Sequence, residues 1–220
     1  MKDIEDLVSG FRRFQQRYFG EERELYERLA RGGQSPRIMV VGCCDSRVDP
    51  ALITDCDPGD MFVVRNVANL VPPYETGGGY HGTSAALEFA VRGIGVEHII
   101  VLGHARCGGI RSLMGESGVK GGAEFIGPWM SIAESARKAV QQEHGDESFD
   151  QQSRACELAA LRVSLGNLRS FPFVREAVAA GRLGVHGWYF DIEKGELLRY
   201  TPTRDRFEPV VGGLGAEPVA

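Results

Sequence analysis

The chain has 220 residues, 43% hydrophobic and 25% charged, a balance ordinary for a globular protein large enough to bury a core without staples. Its formal net charge is -5 and no run of five or six basic residues occurs, which argues against nucleic acid and anionic membrane as partners. No apolar run nears the roughly 20 residues of a membrane helix, and the acidic start Met1-Lys2-Asp3-Ile4-Glu5-Asp6 lacks the features of a secretory signal, so a cytoplasmic protein is expected.

Ile4, Leu7, Val8, Phe11, Phe14 and Tyr18 recur at three- and four-residue spacing and predict a helix whose aromatic stripe packs on this chain or on a partner subunit, core packing being the plainer reading. Gly20 breaks it. A second helical stretch, rich in Glu and Arg, carries Leu25, Leu29 and Ala30 and stops in residues 31–36. Three apolar runs, 37–42, 60–65 and 97–102, read as strands covered on both faces. Alanine and leucine content predicts a helix over 83–91. Residues 124–168 read as two helices split near Gly145, and 173–180 as a last helix. A strand over 184–191 and a turn at Lys194-Gly195 lead into 196–200, an antiparallel edge strand. The alternation predicts one α/β domain over 1–220, a mostly parallel β-sheet flanked by helices with an antiparallel edge strand. It comprises an N-terminal helical arm (1–33), a core (34–203) and a tail (204–220), patternless and disordered after Gly212.

An odd number of cysteines, five, argues against a disulfide framework and for metal or catalytic use. Cys56 and Cys156 read as buried core thiols. Cys44 should point away from Cys43 if the first strand persists. The runs Cys43-Cys44-Asp45-Ser46-Arg47 and Gly103-His104-Ala105-Arg106-Cys107-Gly108-Gly109 follow the first and third strands. In an open parallel sheet ligands collect at that end, where the strand order reverses. Taken singly, the cysteines read as core thiols, His104 as a satisfied core histidine, and Asp45 with Arg47 as an ordinary ion pair. Taken together, Cys43, His104 and Cys107 offer two sulfurs and one nitrogen, a donor set that suits zinc and leaves a fourth position for water or for closure by Asp45. Arg47 would hold Asp45 ionised and oriented. Two thiolates donate more charge to zinc than imidazoles do, so activity should rise toward alkaline pH. His98, His144 and His186 have no spacing to this set and read as structural. Gly77-Gly78-Gly79 lacks the lysine and preceding strand of a phosphate loop and reads as a turn. No G-x-G-x-x-G follows the first strand, which disfavours a dinucleotide site.

At these residues the chain resembles the β-class carbonic anhydrases. The resemblance rests on Cys-x-Asp-Ser-Arg at 43–47, His-x-x-Cys-Gly-Gly at 104–109, the stretch 62–72, Tyr80-His81-Gly82-Thr83 and Val185-His186-Gly187-Trp188, and spans about 34–188. It implies zinc held by Cys43, His104 and Cys107, with Asp45 and Arg47 as the catalytic pair. It implies reversible hydration of carbon dioxide to bicarbonate and a proton by zinc-bound hydroxide. The chain is similar to the plant-like subgroup, which implies a substrate pocket of Phe62, Val67 and Tyr80 with Gln34 reaching in from a neighbouring subunit. Tyr80 and His81 are candidates for the proton's route. A subgroup gated by a second bicarbonate places tryptophan and tyrosine where this chain has Val40 and Phe190, so no such lock is expected although Arg65 is present. The resemblance also implies a homodimer, or a higher assembly of dimers, with the N-terminal helices reaching over the partner. Two alternatives keep the same ligands: a hydrolase of carbon disulfide or carbonyl sulfide, and a non-catalytic zinc-binding protein, which would not need Asp45 and Arg47.

Overall fold

The computed structural model describes residues 2–77, 79–116 and 124–212. The tail read as disordered beyond Gly212 lies outside them. The chain divides into two compact units, Met1–Ser35 and Pro36–Ala220.

The first unit opens with α1, Ile4–Gln16. Asp3 starts it: its carboxylate accepts the Asp6 N–H while the Asp6 carboxylate accepts the Asp3 N–H, so two otherwise orphaned donors are satisfied. A wide turn, Arg17–Glu21, contains the predicted break at Gly20 and leads to α2, Arg23–Gly32. Phe14, Tyr18, Phe19 and Tyr26 pack ring against ring across that turn, with centroids 4.9–6.2 Å apart. The reading of the stripe as core is corrected here. No described residue of α1 or α2 is buried, and Ile4, Leu7, Val8 and Phe11 are exposed.

The second unit runs β1 (Ile38–Cys43), α3 (Pro50–Ile53), β2 (Met61–Asn66), α4 (Gly82–Glu88, prolonged by a wide turn Phe89–Ile94), β3 (His98–His104), α5 (Gly108–Leu113), α6 (Ile126–Met130), α7 (Glu134–Glu143), α8 (Phe149–Leu168), α9 (Pro172–Ala179), β4 (Gly184–Asp191), β5 (Glu196–Thr201) and β6 (Arg206–Val211). The described strands form one sheet in the order β2-β1-β3-β4-β5-β6, parallel through β4 and antiparallel beyond. The edge is therefore β6, not β5, and it lies in the segment read as tail. Pro209 hid it, because proline inside a short run speaks against a strand; at an edge its missing N–H is tolerated. Phe207 anchors β6 against Tyr189 and Tyr200.

Alternation along β1 and β3 sorts the core into two faces. Met39, Val41, Ile99 and Val101 pack with Leu87, Leu161, Phe171 and Tyr189 on one side. Val40, Ile100 and Leu102 pack with Ile53 and Trp188 on the other. A further cluster, with Leu70, Ile110, Met130, Cys156 and Ala160, gathers around Cys43 and Cys107. Helix α8 lies close on the sheet because β3 and β4 present glycine beneath it. A Cβ at Gly103 would stand 3.0 Å from Leu161 Cδ1, and one at Gly187 2.6 Å from Leu161 Cδ2. Among the described residues no helix is long and apolar enough to cross a membrane.

Candidate metal centre

Strands β1 and β3 are parallel neighbours, and the strand order reverses between them, with β2 beyond β1 and β4 beyond β3. Cys43 is the last residue of β1 and His104 the last of β3, one step earlier than the sequence suggested, and Cys107 caps the start of α5. Their donor atoms all lie within 4.8 Å of one another and all three residues are buried. The two sulfurs are 4.0 Å apart.

The histidine shows what the trio is built for. A carbonyl oxygen only accepts, so His104 Nδ1, 2.8 Å from the Ala105 carbonyl, carries the hydrogen. That leaves the Nε2 lone pair in the interior without a hydrogen bond of ordinary length among the described residues, facing the Cys43 thiol and, 4.0 Å away, the Asp45 carboxylate. A buried polar atom left so is costly unless something binds it. A backbone carbonyl fixing the far nitrogen is the usual support of a metal-ligating imidazole. The thiols agree. At this distance they share one proton: the hydrogen bond between them favours the Cys43 thiolate and pushes the Cys107 thiol up, so the two do not ionise together. A divalent cation removes that conflict and lets both be thiolates. The residues present therefore fit a soft divalent metal.

Beside the trio, Arg47 grips Asp45 with both arms. Nε donates to Oδ1 at 2.9 Å, Nη2 to Oδ2 at 2.7 Å, and the Arg47 backbone N–H adds a third bond to Oδ1 at 3.0 Å. The guanidinium holds the Asp45 carboxyl at about 2, below its ordinary 3.8. Asp45 Oδ2 lies 4.0 Å from His104 Nε2, so the carboxylate borders the donor set. Arg47 Nη2 also donates to the Arg106 carbonyl at 2.9 Å, tying this pair to the turn between His104 and Cys107. From β2, Arg65 clamps the Cys43–Asp45 turn: it donates to the carbonyls of Cys43 and Asp45 at 2.8 and 2.7 Å and to Asp49 Oδ2 at 2.7 Å.

Val67 and Tyr80 share a cleft of about 1080 Å³ with Cys44, Asn66, His81 and Trp129. Trp129 Nε1 donates to the Val67 carbonyl at 2.8 Å. Tyr80 is fully exposed at this cleft. Phe62 is not brought there: its ring rests on Phe89, 5.8 Å between centroids. Gln34 is exposed and belongs to the first unit. Cys44 is exposed, turned away from buried Cys43. Cys156 is a buried core thiol, pushed up to about 12 by burial. Cys56 corrects its reading. It is only half-buried, in the turn after α3, where its sulfur accepts the Thr54 hydroxyl at 3.2 Å. His98 and His186 pair with each other at 3.3 Å and His144 with Glu147 at 2.8 Å, all outside the trio.

Sequence reasoning missed Glu157 and Tyr189. Glu157 Oε1 accepts the Cys107 N–H at 2.9 Å and Oε2 accepts the Tyr189 hydroxyl at 2.7 Å, both side chains buried. The available signal was one acid within the apolar stretch Cys156-Glu157-Leu158-Ala159-Ala160-Leu161, four residues before a core leucine.

An open α/β sheet that gathers two thiols and an imidazole at its reversal point, next to an oriented carboxylate, defines a protein of the metalloenzyme class. The family model described as carbonic anhydrase matches residues 38–197. Beta carbonic anhydrase 3 of Arabidopsis thaliana is 40% identical over 194 residues, covering 87% of this chain and 74% of that protein. The structure of the β-carbonic anhydrase CcaA superposes with a TM-score of 0.87 at 33% identity, over 94% of this chain and 91% of that one. One of two tetrameric β-carbonic anhydrases of Sordaria macrospora gives 0.70 at 30% identity, over 96% and 93%. The chain belongs to the β-carbonic anhydrase family, and its activity is that of a carbonic anhydrase, a lyase that interconverts carbon dioxide and bicarbonate.

Proposed function

We propose that the metal is zinc, held by Cys43, His104 and Cys107, and that Asp45 and Arg47 serve the hydration of carbon dioxide beside it. The observation that carries this reading is the buried Nε2 of His104, without a hydrogen bond of ordinary length among the described residues, with two thiols within 4.8 Å and the Asp45 carboxylate 4.0 Å away. Zinc at such a site would supply Lewis acidity, lowering the pKa of water below that of bulk water, though less than at a three-histidine site because two thiolates donate more charge. The chain's own residues do the rest. Asp45, held ionised by Arg47, acts as a hydrogen-bond acceptor and orients the nucleophile's lone pair; with its carboxyl at about 2 it is no proton donor at working pH. Arg47, tied to the Arg106 carbonyl, keeps that acceptor from turning away. Val67 and Tyr80 are the proposed walls of the cleft; Phe62, packed on Phe89, is outside it. Gln34 of a neighbouring subunit is the proposed donor to an oxygen that gains negative charge. The engagement of Arg65 with Cys43, Asp45 and Asp49, and the burial of Val40 in the core, support the absence of a bicarbonate lock. We take the working unit to be a cytoplasmic homodimer or an assembly of dimers, as the tetrameric Sordaria relative illustrates for the family.

Metal analysis together with stopped-flow hydration kinetics tests the reading. The expected result is about one zinc per chain, the content of one such site, and hydration that rises toward alkaline pH. Protein that takes up no zinc, or zinc-loaded protein that hydrates no carbon dioxide, overturns it. Turnover of carbon disulfide or carbonyl sulfide in place of carbon dioxide would reassign the substrate.

A further inference from the structure

Glu157 is a carboxylate in the protein interior, 6% exposed, on the face of α8 that also carries Leu161. Burying an acid is expensive unless it is well partnered, and a leucine would fill similar volume without that cost. The two partners of Glu157 are specific: the Cys107 backbone N–H on one oxygen and the hydroxyl of fully buried Tyr189 on the other.

The Cys107 amide is the point where the turn after β3 becomes α5. The turn is tight, with Arg106 in the left-handed region at φ 59°, a conformation non-glycine residues hold only when their surroundings impose it. Three neighbouring backbone groups have anchors of their own. The Ala105 N–H donates to the Phe190 carbonyl at 2.9 Å, the Ala105 carbonyl takes His104 Nδ1, and the Arg106 carbonyl takes Arg47. Glu157 supplies the anchor for the one after these. Its reach is set by backbone, because Leu161, one turn further along α8, seats against Gly103 and Gly187.

We infer that Glu157 is a positioning residue for Cys107: its carboxylate, steadied by Tyr189, fixes the Cys107 backbone and so the direction of the Cys107 sulfur toward the metal. This rests on the proposed role of Cys107 as a metal donor. Groups that orient ligands in this way are worth about 10–100-fold in metal affinity or activity.

The test compares full-length Glu157→Leu, Glu157→Gln and Cys107→Ser with wild type. Zinc affinity is read by chelator competition and thiolate geometry by the charge-transfer absorption of the cobalt(II) form. Glu157→Leu is expected to weaken zinc about 10–100-fold and to shift the cobalt band, while Glu157→Gln, which keeps an acceptor at the same reach, restores both. Glu157→Asp, one methylene short, is expected to behave like the leucine variant and serves if that variant does not fold. Wild-type affinity and cobalt spectrum in the leucine and aspartate variants overturn the inference. So does a glutamine variant as impaired as the leucine one, which would assign the effect to charge. Cys107→Ser separates the two claims. Loss of metal there with none in Glu157→Leu sinks only the role of Glu157, whereas wild-type metal affinity in Cys107→Ser sinks the metal site itself.

Discussion

Asp45 is the residue whose charge the site controls most firmly. Three hydrogen bonds from Arg47 hold it as an acceptor, and its position 4.0 Å from His104 Nε2 puts it beside the donor set rather than in it. Replacing it with Asn keeps the shape and removes the charge. Asp45→Asn is expected to retain zinc and to lose hydration by about 10²-fold, the cost of a misoriented reacting group, measured by stopped flow on metal-analysed protein. The same substitution has a signature in acid. The folded-state value of about 2 lies below the ordinary 3.8, so the unfolded chain binds the proton more readily. The ion pair therefore stabilises the fold fully above about pH 3.8, and that contribution is lost as pH falls toward 2. Wild type should lose stability more steeply than Asp45→Asn across this window in denaturant titrations at stepped pH. Parallel slopes would mean the pair adds nothing to folding.

Among elements, α8 and the two strands beneath it decide how precisely the centre is built. A methyl group at Gly187 would meet Leu161 at 2.6 Å and Leu165 at 2.8 Å, so helix or strand must move. Gly187→Ala is expected to cost about 1–3 kcal/mol, as overpacking of a tight core does, measured by urea unfolding. Because α8 carries Glu157, zinc affinity should fall as well. Gly166, on the same helix with open space around a built Cβ, provides the contrast: Gly166→Ala is expected to stabilise by about 0.5–1 kcal/mol through helix propensity and to leave zinc affinity unchanged. The same elements show which parts of the molecule a sequence discloses. Strands β1 and β3 were legible because each is a short apolar run covered on both faces; β2 is as apolar but corrects that reading, since it lies at the sheet's parallel edge with none of its residues buried and Val63 exposed. Cys43, His104 and Cys107 were legible because each follows an apolar strand run, and the pairing of β1 with β3 that brings them together is the one an α/β alternation predicts; Asp45 and Arg47 were legible from the Cys-x-Asp-Ser-Arg pattern. Glu157 was not, since its bond to Cys107 spans 50 residues and depends on the depth at which α8 settles on Gly103 and Gly187. Strand β6 was hidden by Pro209, and Cys56 misread because nothing local distinguishes a half-buried thiol from a core one.

At the scale of the whole molecule, the first unit presents a helix with an apolar stripe and nothing buried along it. Phe14, Tyr18, Phe19 and Tyr26 satisfy one another, but Ile4, Leu7, Val8 and Phe11 remain exposed, Leu7 and Phe11 at 60% and 61%. An amphipathic helix gains most of its stability from covering such a stripe, and a contiguous apolar patch on a folded surface marks an association site. The stripe is therefore expected to be covered in the assembled protein. Leu7→Glu with Phe11→Glu places two charges one turn apart on it and leaves the Asp3–Asp6 cap untouched. The doubly substituted chain is expected to keep its helical content by circular dichroism and to sediment as a smaller species than wild type at equal concentration. If Gln34 completes the pocket of a neighbouring subunit, hydration should fall with the loss of assembly and recover in part as protein concentration rises. An unchanged sedimentation coefficient would show that this stripe does not hold copies of the chain together. Loss of hydration without loss of mass would place its contribution inside the subunit.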